Sequence, residues 1–361
     1  MKLFRCQECG QMLYFENTQC ERCGSRLGYV PQIGLLSALV PEGDVWQPLG
    51  QSFETVRFCD NAEHGVCNWV IPASSSEPFC LACQHNQTIP PLDNPDYVRA
   101  WVKLEEAKHR LIYSLLRLDL PLRTRQEDEE HGLAFDFLAD LPVVGRGRKV
   151  MTGHDNGLIT IALAEANDAE RESRRVSMGE PYRTLLGHFR HEVGHHYWDL
   201  LVRDGGWLEE FRALFGDDRQ DYAEALQRYY AEGPPAGWQD NFISSYAAAH
   251  PWEDFAETWA HYLHMVDTLE MAQSFGLRVD PVVADDPALT AEVMIDPYQA
   301  ANVEDLIALW LPLCFAMNSL GRTMGQGDLY PFVLSPPVIE KLGFIHGIVH
   351  APSEPMAQSA A

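Results

Sequence analysis

Residues 187–201 read GHFRHEVGHHYWDLL, and this stretch decides how the rest of the chain is interpreted. It contains the motif H-E-x-x-H as HEVGH at positions 191–195. On a helix, residues i and i+4 lie one turn apart on the same face, so His191 and His195 can bind one zinc ion together. Glu192 then projects beside the metal, where its carboxylate can accept a proton from a water molecule. The stretch therefore predicts a catalytic zinc site on a helix.

A catalytic zinc site needs a third protein ligand and one open coordination position. The class H-E-x-x-H-x-x-G-x-x-H takes a third histidine, but the glycine and histidine positions of that pattern are Trp198 and Leu201 here. A later apolar helix carries Glu253 and Glu257, four residues apart on one face. We assign Glu253 as the zinc ligand and Glu257 as the acceptor for the outer ring nitrogen of a zinc-binding histidine. The reverse assignment of the two glutamates stays open.

A tyrosine precedes the third ligand by seven residues. The hydroxyl of Tyr246 can stabilise the oxyanion that forms when water attacks an amide. The chain has 13 tyrosines, so an ordinary packing role for Tyr246 also stays open. His250, His261 and His264 are further candidates for the same task.

Cysteine usage indicates metal in the N-terminal region. The sequence shows no signal-peptide pattern, so we expect a cytoplasmic protein whose thiols stay reduced. Two C-x2-C pairs separated by ten residues can form the tetrahedral four-sulfur shell that zinc prefers, although iron is chemically possible. This first structural site consists of Cys6, Cys9, Cys20 and Cys23.

A second set of four cysteines follows, and only its last pair is a C-x2-C. We predict a second structural zinc site here, with His64 or His85 as possible replacements for one sulfur. Each site has four protein ligands, so both are expected to support folding rather than catalysis. The second site consists of Cys59, Cys67, Cys80 and Cys83.

Charge and hydropathy limit the partners of the protein. The net charge is −25, which disfavours nucleic acid and anionic membranes as partners. The longest apolar run, residues 306–317, is short and interrupted by Pro312, so we interpret it as part of a buried helix and expect no membrane span. The cysteine-rich region at residues 1–90, called the ribbon region below, lacks a basic stripe. This favours a protein partner or substrate presentation as its role.

Periodicity divides the chain into a cysteine-rich region at 1–90, a larger domain at 95–350 and a disordered tail at 351–361. We predict an α+β fold in which a small sheet precedes a mostly helical body. The strand at 158–166 is a candidate for edge-on pairing with an extended peptide. Helices are predicted over 97–118, 177–206 (with Pro181 in the first turn), 216–233, 251–276, 302–321 and 335–350, with a strand–turn–strand unit over 147–166.

The metal-site residues resemble those of the gluzincin class of zinc peptidases, in which a helical glutamate is the third ligand. The EDFAE at 253–257 is similar to the corresponding stretch of lethal-factor-like peptidases, where a tyrosine seven residues upstream assists catalysis. Tyr246 has that offset.

The whole layout resembles a bacterial family of zinc-binding metallopeptidases that carry an N-terminal zinc-ribbon domain. The resemblance covers nearly the full chain, including LYPFVLSPPVIEKLGFIH at 329–346. It implies a double zinc-ribbon module followed by a mainly helical gluzincin-like domain, with His191, His195 and Glu253 as ligands and Glu192 as general base.

The function expected from these observations is zinc-dependent hydrolysis of peptide or related amide bonds. Three zinc ions are expected, one catalytic and two structural. The alternative is a non-catalytic adaptor or regulator that acts through its zinc ribbons. A purely structural site would not require Glu192, which favours the enzyme.

Overall fold

The computed structural model describes residues 1–140, 150–178, 184–283 and 286–351. Pro181 lies outside the described residues. So does the predicted disordered tail, apart from its first residue.

The N-terminal region consists of short antiparallel strands. A two-stranded hairpin holds the first cysteine pair, and five strands follow in a sheet of sequential order. Gly10 and Gly24, each one residue after a C-x2-C pair, have φ of 75° and 77°, a left-handed conformation that glycine adopts without strain. The strands are β1 (Phe4–Arg5), β2 (Met12–Leu13), β3 (Arg26–Val30), β4 (Leu35–Glu42), β5 (Val45–Pro48), β6 (Val56–Phe58) and β7 (Val70–Pro72).

The remaining chain folds into a mostly helical body around a second sheet. Its elements in order are β8 (Asn86–Thr88), α1 (Pro95–Arg117), β9 (Ala134–Leu138), β10 (Gly153–Asp155), β11 (Leu158–Ala162), α2 (Asp168–Met178), α3 (Leu185–Tyr197), α4 (Leu208–Phe215), α5 (Tyr222–Glu232), α6 (Pro251–Phe275), β12 (Arg278–Val279), β13 (Ala291–Glu292), α7 (Val303–Thr323) and α8 (Pro336–Val349). A π-helix at Trp198–Arg203 continues α3, and β12 pairs with β13.

The second sheet has the order β10–β11–β9–β8. Strands β8, β9 and β11 run parallel, and β10 pairs antiparallel with β11. Because β11 has a neighbour on both sides, the expectation that it pairs edge-on with a peptide is wrong. The strands at the two edges of the sheet are β10 and β8.

The predicted helices are present, but the motif helix is shorter than expected. It begins at Leu185, where the side chain of Thr184 caps it by accepting from the backbone N–H of Gly187. Helices α2 and α4 were not predicted. The first is highly charged and lacks an apolar period, and the second has only eight residues.

Helix α1 packs directly against the ribbon region. The ring of Tyr113 on α1 lies 5.4 Å from that of Phe15 and 6.2 Å from that of Tyr29, measured between centroids. Strand β8, which falls inside the 1–90 region, pairs with β9 of the body. One hydrophobic core therefore runs from the ribbon region into the helices.

Helix α7 is the one described helix with the length and apolar composition of a membrane span. Its most apolar 18-residue window has a mean hydropathy of 1.4, and 44% of that window is buried in the protein. Leu306 and Trp310 are fully buried, as a core helix requires. Since core helices of many proteins meet the same criterion, length and composition do not assign α7 to a membrane.

Helices α3 and α6 cross closely at a glycine of the HEVGH motif. A Cβ atom on Gly194 would lie 3.0 Å from Cα of Ala256 and 3.2 Å from Cδ1 of Trp259. The ring of Trp259 in turn stacks on that of Tyr197, with centroids 5.0 Å apart. Even a Cβ at position 194 would therefore require Ala256 and Trp259 to shift by a few tenths of an ångström.

We predict that Gly194→Val pushes α3 and α6 apart. Overpacking of this kind costs about 1–3 kcal/mol, so the Tm should fall. The protein should also lose metal from the α3–α6 site while the cysteine sites stay loaded. Calorimetry and metal content per chain measure both effects. Gly347→Val is the matched control, because a Cβ on that helical glycine meets open space. Equal behaviour of the two variants would contradict the packing argument.

Candidate metal centre

Three predicted ligands meet where α3 crosses α6. The Nε2 atoms of His191 and His195 are 3.2 Å apart. Oε2 of Glu253 lies 3.0 Å from Nε2 of His191 and 3.6 Å from Nε2 of His195. A zinc ion with ligands at about 2.0–2.2 Å has ligand–ligand distances of about 3.3–3.6 Å in a tetrahedron. The three side chains therefore have the spacing that one zinc ion needs.

The surroundings of Glu253 also fit a cation. This side chain is 1% exposed, and its Oε2 has no hydrogen-bond donor among the described residues. A buried carboxylate oxygen without a partner is costly, whereas a metal ion would satisfy it together with two imidazoles. Zinc accepts imidazole nitrogen and carboxylate oxygen as ligands. These three protein ligands would leave the fourth coordination position of a tetrahedral zinc open.

Glu257 lies one turn further along α6 and makes a different contact. Its Oε1 accepts from Nδ1 of His191 at 2.7 Å, and its Oε2 accepts from the hydroxyl of Ser244 at 2.6 Å. Burial alone would raise the pKa of Glu257, but the hydrogen bond and the charge of His191 lower that pKa to about 2. The ionised carboxylate holds the imidazole with Nε2 facing the metal position.

Glu192 is half-buried and makes no ion pair or hydrogen bond among the described residues. It follows His191 in α3, and its charge is among those that raise the pKa of Tyr222, whose hydroxyl bonds Glu253. A carboxylate that no protein group neutralises is free to accept a proton from water. This is the property that a general base requires.

Two tyrosines border the cluster. The ring of Tyr246 lies 5.9 Å from that of His191, and burial together with the charge of Glu253 raises the pKa of Tyr246 well above its ordinary value. The hydroxyl of Tyr222 on α5 donates to Oε1 of Glu253 at 2.6 Å. Sequence reasoning missed Tyr222, because nothing in its helix distinguishes it from the other tyrosines. It orients the carboxylate from the side away from the histidines.

Aromatic rings cover the second histidine. The ring of Trp252 lies 3.7 Å from that of His195, and the ring of His154 on β10 lies 6.1 Å away. His195 is 3% exposed as a result. Strand β10 therefore borders the three ligand side chains and places one edge of the sheet beside them.

The three further candidates for oxyanion stabilisation have other partners. His250 caps α6, since its Nδ1 accepts from the backbone N–H of Trp252. His261 is buried and bonded to the hydroxyl of Tyr330 at 2.9 Å. His264 stacks on the ring of Tyr330. These contacts occupy the three histidines, so Tyr222 and Tyr246 remain the candidates considered for this role.

Both cysteine sets also have the spacing of metal sites. The Sγ–Sγ distances are 3.7 Å for Cys6–Cys23, 3.6 Å for Cys9–Cys20 and 3.7 Å for Cys67–Cys80. Zinc–sulfur bonds of about 2.3 Å give tetrahedral edges of about 3.8 Å. Within each set all four sulfurs lie within 4.8 Å of one another.

Two cysteine clusters and a histidine–glutamate cluster define a metalloprotein with a zinc-ribbon region and a peptidase-like domain. Residues 97–348 match the profile of the family described as "Putative zinc-binding metallo-peptidase", and residues 3–94 match that of a zinc-ribbon domain. The chain belongs to this metallopeptidase family. The predicted order of a zinc-ribbon region and a mainly helical peptidase-like domain is confirmed.

Relatives of the chain occur in mycobacteria. Uncharacterised proteins of Mycobacterium bovis and of two strains of Mycobacterium tuberculosis are each 43% identical over 350 residues. The alignment covers 97% of this chain and 95% of each relative. No solved structure matches the chain.

We predict that Glu257→Gln weakens zinc binding at the α3–α6 site by about 10–100-fold, the usual effect of losing a partner of a ligating histidine. Glu253→Gln should abolish zinc binding there. Chelator competition measures both affinities. Glu224→Gln, on the exposed face of α5, is the control and should leave the affinity unchanged. Loss of zinc from Glu257→Gln with retention in Glu253→Gln would reverse the two assignments.

Proposed function

We propose that this protein is a zinc-dependent hydrolase of the gluzincin type that cleaves peptide or related amide bonds. The observation that carries the proposal is the convergence of His191, His195 and Glu253 on one position, with Glu192 following the first ligand in the same helix. We place the activity in the cytoplasm, since all nine cysteines are free thiols and metal binding requires them reduced.

When bound, zinc lowers the pKa of a coordinated water and polarises the substrate carbonyl. Glu192 takes a proton from the attacking water as the new carbon–oxygen bond forms. It then delivers this proton to the amide nitrogen as the carbon–nitrogen bond breaks, so the products are a carboxylic acid and an amine. The protonation state of Glu192 is restored at the end of the cycle.

The remaining residues position and stabilise the reacting groups. Glu257 fixes the ring of His191, and Tyr222 fixes Glu253. The hydroxyl of Tyr246 is assigned to the oxyanion, where a donor in a water-poor site is worth about 2.7–4 kcal/mol. The proximity of its ring to His191 supports this role.

The substrate is assigned to the outer edge of β10. Among the described residues no strand pairs with this edge, and β10 borders the metal cluster through His154. An extended peptide can add to such an edge through backbone hydrogen bonds, which give affinity without fixing the side chains. The ribbon region is proposed to contact a protein partner or to help present the substrate.

We predict that Glu192→Gln retains its zinc and loses turnover by about 10²–10⁴-fold, because the amide cannot accept the proton. The assay is cleavage of a proteome-derived peptide library followed by mass spectrometry, with metal content measured on the same samples. Glu210→Gln, an exposed residue of α4, is the control and should cleave like the wild type.

Two results would contradict this proposal. Cleavage by Glu192→Gln at the wild-type rate would exclude Glu192 as the general base. Absence of any cleavage by the fully zinc-loaded wild type would favour a non-catalytic adaptor that works through its zinc ribbons.

A further inference from the structure

The second cysteine cluster has a neighbour that its sequence does not reveal. Nε2 of His109, on α1 of the peptidase-like domain, lies 3.4 Å from Sγ of Cys67 and 4.0 Å from Sγ of Cys83. The imidazole of His109, with the carboxylate of Glu105 within 4.8 Å of it and of Cys83, therefore joins the four cysteine sulfurs as a candidate donor.

The hydrogen bonding of His109 fixes which ring nitrogen is available. Nδ1 lies 2.7 Å from the backbone carbonyl of Glu105, which can only accept, so Nδ1 carries the proton. In the neutral ring, the lone pair of Nε2 then faces the sulfurs. Donation of one ring N–H to a backbone carbonyl, with the other nitrogen on the metal, is the usual arrangement of a ligating histidine.

We infer that His109 binds the second metal through Nε2, in a shell of three cysteine sulfurs and one nitrogen. The metal then joins the ribbon region to α1. The inference concerns the ribbon region and does not depend on the proposed hydrolase activity.

Burial supports a mixed shell at this site. All four cysteines of the second cluster are buried, whereas Cys23 of the first cluster is exposed and lets water reach that site. Zinc with four thiolates carries a charge of about −2, and replacing one thiolate by neutral imidazole reduces this to about −1. Because burying net charge is costly, the cluster whose four cysteines are all buried gains more from the exchange.

The ring of His109 is held in place on several sides. It is 4% exposed, and the ring of Trp69 lies 5.3 Å from it. A cavity of about 50 Å³ borders Cys67 and His109, so this edge of the cluster has room for a ligand to shift.

The two histidines suggested by sequence make no hydrogen bond to a cysteine sulfur among the described residues. Nδ1 of His85 bonds to the carbonyl of Leu133 at 2.8 Å, and the ring of His64 packs 6.3 Å from that of Trp101. Spacing along the chain favoured them, but the fold brings His109 to the sulfurs instead.

The test is ¹¹³Cd NMR of the full chain, loaded with ¹¹³Cd and carrying ¹⁵N-labelled histidine. Four-sulfur sites resonate downfield of sites with three sulfurs and one nitrogen, so each cluster is read separately. We expect one resonance of each kind from the two cysteine clusters, and a separate resonance further upfield from the sulfur-free α3–α6 site. The three-sulfur resonance should be coupled to a single imidazole nitrogen. His109→Gln should abolish this coupling and shift the resonance to the four-sulfur position as the fourth cysteine binds.

His85→Gln is the matched control, since His85 is also buried and lies two residues after Cys83, and it should leave the resonances of both cysteine clusters unchanged. Two four-sulfur resonances without imidazole coupling would overturn the inference and assign His109 a hydrogen bond to an intact four-cysteine site. If His109→Gln does not fold, the presence or absence of coupling in the wild type decides the question.

Discussion

The metal centre depends on the close crossing of α3 and α6 at Gly194. The absence of a side chain there lets Cα of Ala256 approach the motif helix. This approach brings Glu253, three residues earlier on α6, to within 3.0 Å of Nε2 of His191. A wider crossing would leave a two-histidine site with a distant carboxylate. Backbone packing thus determines the metal site as much as the identity of its ligands does.

Helices α5 and α6 carry residues that hold the ligands in position. Glu257 reaches His191 one turn beyond the ligand, and Tyr222 reaches Glu253 from α5. Helix α1 packs its Tyr113 on the aromatic rings of the ribbon region. The ribbon region therefore shares a hydrophobic core with the peptidase-like domain and is not connected to it by a flexible linker alone.

The sequence predicts those features that depend on the spacing of residues close together along the chain. The i, i+4 histidines, the two C-x2-C pairs and the apolar period of α6 each depend on neighbours along the chain. Sequence reasoning missed what distant packing decides: the approach of Tyr222 to Glu253, the parallel neighbour of β11, and the contact of His109 with the second cluster. It also missed α2, whose charged sequence has no apolar period to detect.

The most direct test of this account is a crystal structure of the zinc-loaded protein with anomalous data collected at the zinc edge. The account predicts a peak bonded to His191, His195 and Glu253 at about 2.0–2.2 Å, with a water in the fourth position. A peak with a fourth protein ligand would make the site structural. The absence of a peak there, with both cysteine clusters occupied, would contradict the assignment of a catalytic metal centre.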